Sequence, residues 1–148
     1  MIQWENLTKG EILGDVGIIG SAIAELYGGW TQGMTTLVIL MIIDYIMGIL
    51  VAGVFGTSKK SEDGKLESRA GWKGLVRKGV TLLIVLVATR IDLMLESNFV
   101  RDAAVIGFAA NELLSIVENA GLMGIPMPAV VTNAIEVLQK KSKENNEE

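Results

Sequence analysis

The chain has 148 residues, half of them hydrophobic, with a mean hydropathy of +0.44 and a formal net charge of -4. Because 20% of the residues are still charged, the apolar residues must be concentrated in blocks, where membrane spans are expected. The sequence contains no Cys and no His, which excludes thiolate chemistry, cysteine-based zinc sites and histidine acid–base catalysis. We therefore expect no enzyme, no cofactor and no metal site.

The first 33 residues are acidic and contain a helical pattern. Between Gly10 and Trp30, glycine, serine and alanine residues form one stripe and large apolar residues form another. Small-residue stripes permit close helix approach. The carboxylates of this segment favour an interfacial position over a spanning one, so residues 1–33 are predicted to be an amphipathic segment, extracytoplasmic or interfacial.

The strongest hydrophobic block runs from Met34 to Phe55, which is long enough for a helix of roughly 33 Å. Its twelve Leu, Ile, Val and Phe residues favour insertion by about 4 to 7 kcal/mol, against about 3 kcal/mol for the single charge at Asp44. The sequence predicts transmembrane helix 1 at residues 34–56.

Asp44 requires an explanation, because a carboxyl group near mid-membrane must be protonated, paired or hydrated. Gly48 and Ala52 follow at intervals of four and share its helix face, so this face is predicted to meet protein. Two interpretations stay open: a structural carboxylic acid within the fold, or a residue at an oligomer contact or in a pore.

A basic loop is predicted at residues 57–78. It carries seven of the thirteen Lys and Arg residues, so the positive-inside rule places it in the cytoplasm, with the N-terminus outside and the C-terminus inside. These cations set topology and can attract anionic lipid headgroups. They are Lys59, Lys60, Lys65, Arg69, Lys73, Arg77 and Lys78.

Two further spans are predicted, helix 2 at residues 79–97 and helix 3 at residues 101–124, joined as a hairpin. Near the end of helix 2, Arg90 and Asp92 are two residues apart and point away from each other, so each is either an interfacial anchor or paired across the hairpin, with Arg101 and Asp102 as candidates. Helix 3 is amphipathic, and its polar and small residues are predicted either to line an aqueous lesion or to bond within the helix bundle. They are Gly107, Asn111, Glu112, Ser115, Glu118 and Asn119.

Pro126 and Pro128 end the third helix. Residues 125–148 are predicted to form a short cytoplasmic amphipathic helix, over 129–141, and a disordered charged tail. The predicted fold is thus all-α, an integral membrane protein with three transmembrane helices.

Short motifs lie in a fixed order along residues 34–140. They are Asp44-Tyr45-x-x-Gly48, Ser68-Arg69-Ala70-Gly71-Trp72-Lys73-Gly74-Leu75 with Lys78, Asp92, Arg101, Asn111 to Asn119, and Gly124-x-Pro126-x-Pro128. In these motifs the chain resembles the toxin-secretion and phage-lysis holins of Gram-positive bacteria and their phages, which include the clostridial toxin-secretion holins.

The resemblance implies a homo-oligomer that forms lesions in the bacterial host cytoplasmic membrane, releases an endolysin or a toxin, and triggers cell lysis. Its partners are then the lipid bilayer, further copies of itself and an endolysin, with an antiholin as a further partner that the family allows; nucleic acid is not expected. The alternative is a small proton-coupled transporter or channel subunit using Asp44 and Glu112, although no internal repeat is detectable. A soluble helical bundle is disfavoured by the length of the first apolar block.

Overall fold

The computed structural model describes residues 8–147, which contain five α-helices and no β-strand. The prediction of an all-helical protein is therefore confirmed for this range. The helices are α1 (Lys9–Leu26), α2 (Gln32–Leu50), α3 (Ser68–Leu95), α4 (Val100–Leu122) and α5 (Ala129–Glu147), and α2 continues into a π-helical turn, Val51–Phe55.

The chain divides into two compact units between Trp30 and Thr31. In the first unit, α1 begins with a capping box: the Thr8 hydroxyl accepts from the Glu11 N–H, and the Glu11 carboxylate accepts from the Thr8 N–H at 2.8 Å. Hydrogen bonds from the Thr8 backbone and hydroxyl lower the pKa of Glu11. No residue of α1 is buried, and residues 1–7 of the predicted N-terminal segment lie outside the described range.

The second unit is organised around α4, which packs against α2, α3 and α5. The buried side chains of α4 are mostly small, which allows the neighbouring helices to approach closely. From α2, the larger side chains of Met34, Leu37 and Met41 fill the core. At Gly33, an added Cβ would come within 3.4 Å of Val105, so this is a close contact between α2 and α4.

The hairpin between α3 and α4 is closed by Asp92. Its carboxylate accepts hydrogen bonds from the N–H groups of Val100 and Arg101, at 3.0 and 2.9 Å, and from the Ser97 hydroxyl at 2.7 Å. Asp92 therefore caps the first turn of α4, where backbone N–H groups lack helical partners. Asp102, the other candidate partner, accepts from the Arg101 side chain instead.

Two helix boundaries differ from the predicted ones. The segment predicted as a basic loop is a loop only as far as Glu67, because α3 begins at Ser68. Gly71 and Gly74 lower the helix propensity of this segment, but both lie beside Tyr45 of α2, whose hydroxyl donates to the Gly71 carbonyl at 3.3 Å. The tail predicted to be disordered is also helical, since α5 extends through Glu147.

Helix α2 with its π-helical turn, Gln32–Phe55, is the one helix within residues 8–147 that is long and apolar enough to cross a membrane. Only 28% of its apolar segment is buried in the protein, which is unlike the core helix of a soluble bundle. Large apolar side chains also point outward from α3. Exposed apolar surface of this extent is expected of a membrane-facing or interface-forming protein. The exposed apolar side chains of α2 and α3 include Ile42, Ile46, Leu50, Leu83 and Val87.

Candidate functional site

Three charged side chains from three helices meet beside the centre of α2. The ammonium group of Lys78, from α3, lies 2.7 Å from Asp44 Oδ2 on α2 and 2.7 Å from Glu112 Oε2 on α4. Asp44 is buried, and the side chains of Lys78 and Glu112 are 15% and 14% exposed. We call Asp44, Lys78 and Glu112 the charge cluster.

Two neutral side chains of α4 complete this site. The Asn119 amide donates to Asp44 Oδ1 at 3.0 Å, and Ser115 hydrogen-bonds to the same carboxylate. Within residues 8–147, every buried side-chain nitrogen or oxygen atom has a hydrogen-bond partner. Such complete pairing is what makes buried polar groups tolerable in a protein interior, since an unpaired group loses its hydration without compensation.

The contact between Asp44 and Lys78 also shows how α2 and α3 are aligned along their axes. Lys78 is ten residues after the start of α3, which places it roughly 15 Å from the N-terminal end of that helix. Asp44 is eleven residues before Phe55, which places it at a similar distance from the C-terminal end of the helix formed by α2 and its π-helical turn. A hydrogen bond from the Tyr45 hydroxyl to the Gly71 carbonyl agrees with this register. The basic first half of α3 therefore runs alongside the second half of α2 rather than beyond it.

The predicted face of α2 lies against protein. Asp44 and Ala52 are buried and Gly48 is half-buried. All three line a narrow, mostly apolar crevice of about 60 Å³, with Tyr45 and Leu66 among its other walls.

A larger cavity of about 400 Å³, which we call the polar cavity, borders the charge cluster. From α4 it is lined by Asn111, Glu112 and Ser115, three of the residues predicted on the polar stripe. From α3 and the preceding loop it is lined by small uncharged residues and by four cations. The cations are Lys60, Lys73, Arg77 and Lys78.

Two residues of the predicted polar stripe lie away from the charge cluster. Glu118 is exposed and pairs with Lys59 at 3.4 Å, both side chains being more than half exposed. Gly107 faces α5, where an added Cβ would lie 3.2 Å from the Ser142 hydroxyl oxygen. Helical spacing alone placed these residues on one stripe, but the stripe is wide enough for α5 to cover part of it.

From the sequence, Lys78 was predicted to contribute only to topology and lipid attraction, and its part in the charge cluster was not predicted. One signal was available: Asp44 needed a cationic partner, and Lys78 is the last cation before the apolar part of the second span. Hydropathy does not say which of several nearby cations faces the acid. That choice depends on helix register, which only tertiary structure supplies.

Among the described residues, no group of three acidic side chains is arranged to hold a metal ion. The charge cluster instead offers two carboxylates and one ammonium group within hydrogen-bond distance. Such a set can hold helices together or carry protons, and it can become hydrated if the helices separate.

A family model and one named relative give the same family for this chain. A family model described as the bacteriophage holin family matches residues 21–140. The chain is 35% identical over 127 residues to a protein named probable holin from Bacillus phage phi105, covering 85% of this chain and 87% of that protein. It is 36% identical over 140 residues to an uncharacterized protein of Listeria innocua, covering 93% and 94% of the two chains.

A third relative, an uncharacterized protein of Halalkalibacterium halodurans, is 37% identical over 128 residues, covering 82% of this chain and 89% of its own. No solved structure matches the chain.

Proposed function

Because the chain belongs to the bacteriophage holin family, we propose that it oligomerises in the bacterial cytoplasmic membrane into lesions that release an endolysin or a toxin and trigger host lysis. The observation that carries this proposal is the position of the charge cluster. It lies beside the middle of the most apolar helix and borders an open polar cavity. A polar surface at that depth requires water or protein as its neighbour.

The proposed topology has three spans, α2, α3 and α4, with the N-terminus outside and the C-terminus inside. The density of Lys and Arg between residues 57 and 78 supports this orientation through the positive-inside rule. Helix α2 has the composition of a span by itself. Helices α3 and α4 contribute the partners of Asp44, so the three are expected to enter the bilayer together.

This topology requires a movement of α5. In the monomer, α5 packs along α4 with Ser142 beside Gly107, and Asn145 near Phe99 at the start of α4. A spanning α4 would carry this polar helix into the bilayer, where each charged residue costs roughly 3 kcal/mol at mid-depth. We therefore propose that α5 leaves α4 when α4 spans, and that the packed form precedes the lytic one.

The polar cavity is proposed as the surface that becomes the lumen of the oligomer. Its α4 wall, formed by Asn111, Glu112 and Ser115, is polar and open, whereas the outward faces of α2 and α3 are apolar and suited to lipid. Gly48 and Ala52 are proposed to serve helix contacts. Asn119 and Glu118 would join the lumen wall if separation of the helices releases their present partners.

Production of the chain alone in bacteria tests the proposal. We expect the membrane potential to collapse abruptly after a delay, as reported by a voltage-sensitive dye, while cells carrying a stop codon early in the gene keep theirs. Normal growth with the protein abundant in the membrane fraction would contradict the proposal.

A proton-coupled transporter or channel subunit is the second candidate, favoured by one specific observation. The single ammonium group of Lys78 pairs with both carboxylates of the charge cluster. The number of protons bound by the cluster can therefore change when the distance between Asp44 and Glu112 changes. This candidate predicts proton flux without cell death, so counting viable cells alongside the voltage-dye signal distinguishes the two functions.

A further inference from the structure

The cations of the polar cavity carry an inference about ligand binding. Of the four that line it, Lys78 is paired within the charge cluster. Lys60, Lys73 and Arg77 have no carboxylate within 4 Å among residues 8–147, although Lys60 is near enough to Asp44 for their charges to attract. Counting Asp44 and Glu112, the lining carries four positive and two negative charges. The cavity thus has an excess of two positive charges and donors free to bind an anion.

The depth of these cations makes their lack of a partner significant. Lys73 and Arg77 are on the first half of α3, which runs alongside the second half of α2. In the proposed topology this is the cytoplasmic leaflet. Long basic side chains there can extend towards the interface, where the phosphate groups of lipids lie.

An apolar crevice adjoins the cavity. Lys60, Gly74 and Lys78 line both spaces, and the crevice continues past Tyr45 and Ile49. Cationic and apolar surfaces side by side are complementary to an amphiphile rather than to a small inorganic ion.

We propose that the cavity binds the headgroup of one anionic phospholipid, with its phosphate held by Lys60, Lys73 and Arg77 and the start of its acyl chain against the apolar crevice. This inference rests on the membrane topology proposed above. It concerns the form in which α5 packs on α4. It goes beyond lysis, because it assigns a lipid class and a defined site to cations that the positive-inside rule treats as interchangeable.

A competition between lipids tests the site. The purified full-length chain is incorporated into vesicles of equimolar phosphatidylglycerol and phosphatidylcholine, extracted in mild detergent, and its retained lipid is measured by native mass spectrometry. We expect phosphatidylglycerol to be enriched by roughly tenfold over phosphatidylcholine. The double variant Lys73→Gln/Arg77→Gln should lose most of this enrichment, while Lys73→Arg/Arg77→Lys, which preserves charge, should keep it.

The matched control is Lys59→Gln/Arg69→Gln, which removes two charges from the same region at residues that line neither space. It should keep the enrichment. Equal loss in both glutamine variants would overturn the proposal in favour of diffuse surface attraction, and displacement of the lipid by millimolar inorganic phosphate would overturn it in favour of a plain phosphate site. Lipid retention is measured without lysis, so either proposal can fail while the other stands.

Discussion

Lys78 lies between two carboxylates, so its removal and theirs have different consequences. Taking away the cation leaves Asp44 and Glu112 facing each other without compensation, whereas neutralising Asp44 leaves the pair between Lys78 and Glu112 intact. Removing one partner of a buried ion pair costs about 3 to 5 kcal/mol, mostly through the charge left behind.

We predict that Lys78→Met lowers the free energy of unfolding by about 3 kcal/mol and advances lysis, because the contact that joins three helices is lost. Asp44→Asn should cost less, since its amide oxygen can still accept from Lys78 while its NH2 group donates to the oxygen of a reoriented Asn119 amide, and it should change lysis timing while insertion is retained. Unfolding in detergent micelles, followed by circular dichroism, measures the first effect, and culture turbidity measures the timing.

The control for these variants is Arg69→Met, which removes an exposed arginine from the same helix. Its effect on unfolding should be within about 0.5 kcal/mol, as at other exposed positions. If Lys78→Met were no more destabilising than Arg69→Met, the charge cluster would not hold the helices together.

Asp92 gives a second prediction at this scale. Asp92→Ala removes the acceptor of three hydrogen bonds, two from the start of α4 and one from Ser97, and should destabilise the protein by about 1 to 2 kcal/mol. Asp102→Ala serves as its control, because Asp102 lies in the first turn of α4 but bonds to the Arg101 side chain. Equal unfolding midpoints for the two variants would show that the cap is unimportant.

At the scale of helices, periodicity in the sequence was sufficient to place α4 and to predict that one of its faces is polar. It was not sufficient to predict which neighbouring helix contacts each residue of that face. Glu112 belongs to the charge cluster and Asn119 hydrogen-bonds to Asp44 within it, while α5 covers Gly107. The start of α3 was also not predictable from hydropathy, because residues 68–78 are basic and glycine-containing, and their packing beside Tyr45 of α2 is a tertiary contact.

The packing of α5 on α4 yields a prediction that exploits the absence of cysteine from the chain. In Gly107→Cys/Ser142→Cys, the two side chains are close enough for a disulfide, since a Cβ at residue 107 would be 3.2 Å from the Ser142 oxygen. Reconstituted in vesicles under oxidising conditions, this variant should fail to release an entrapped dye, and adding a reductant should restore release.

The control pairs Gly107→Cys with Val137→Cys, whose side chain is exposed. It should release dye with or without oxidant. Undiminished release from the cross-linked Gly107→Cys/Ser142→Cys protein would show that α4 acts with α5 in place, and the proposed detachment would be wrong.

For the whole molecule, residue spacing predicted the helical class, the apolar first span and the family, because these depend on local composition and short motifs. The partner of Asp44 and the cavity depend on how three helices meet, which no single segment encodes.

Orientation is the remaining prediction at this scale. With the chain free of native cysteine, Asn98→Cys should react with a membrane-impermeant maleimide in intact cells, and Glu62→Cys only after permeabilisation. The reverse pattern would invert the topology.

The most direct measurement of the central claim is the release of a folded protein through the lesion. Cells producing this chain together with an endolysin that lacks a signal sequence should lyse suddenly after a delay, whereas cells producing either protein alone should keep their walls intact. If the membrane potential collapses in the co-producing cells but the endolysin stays in the cytoplasm and the walls stay intact, the chain conducts ions only and is not a lytic holin.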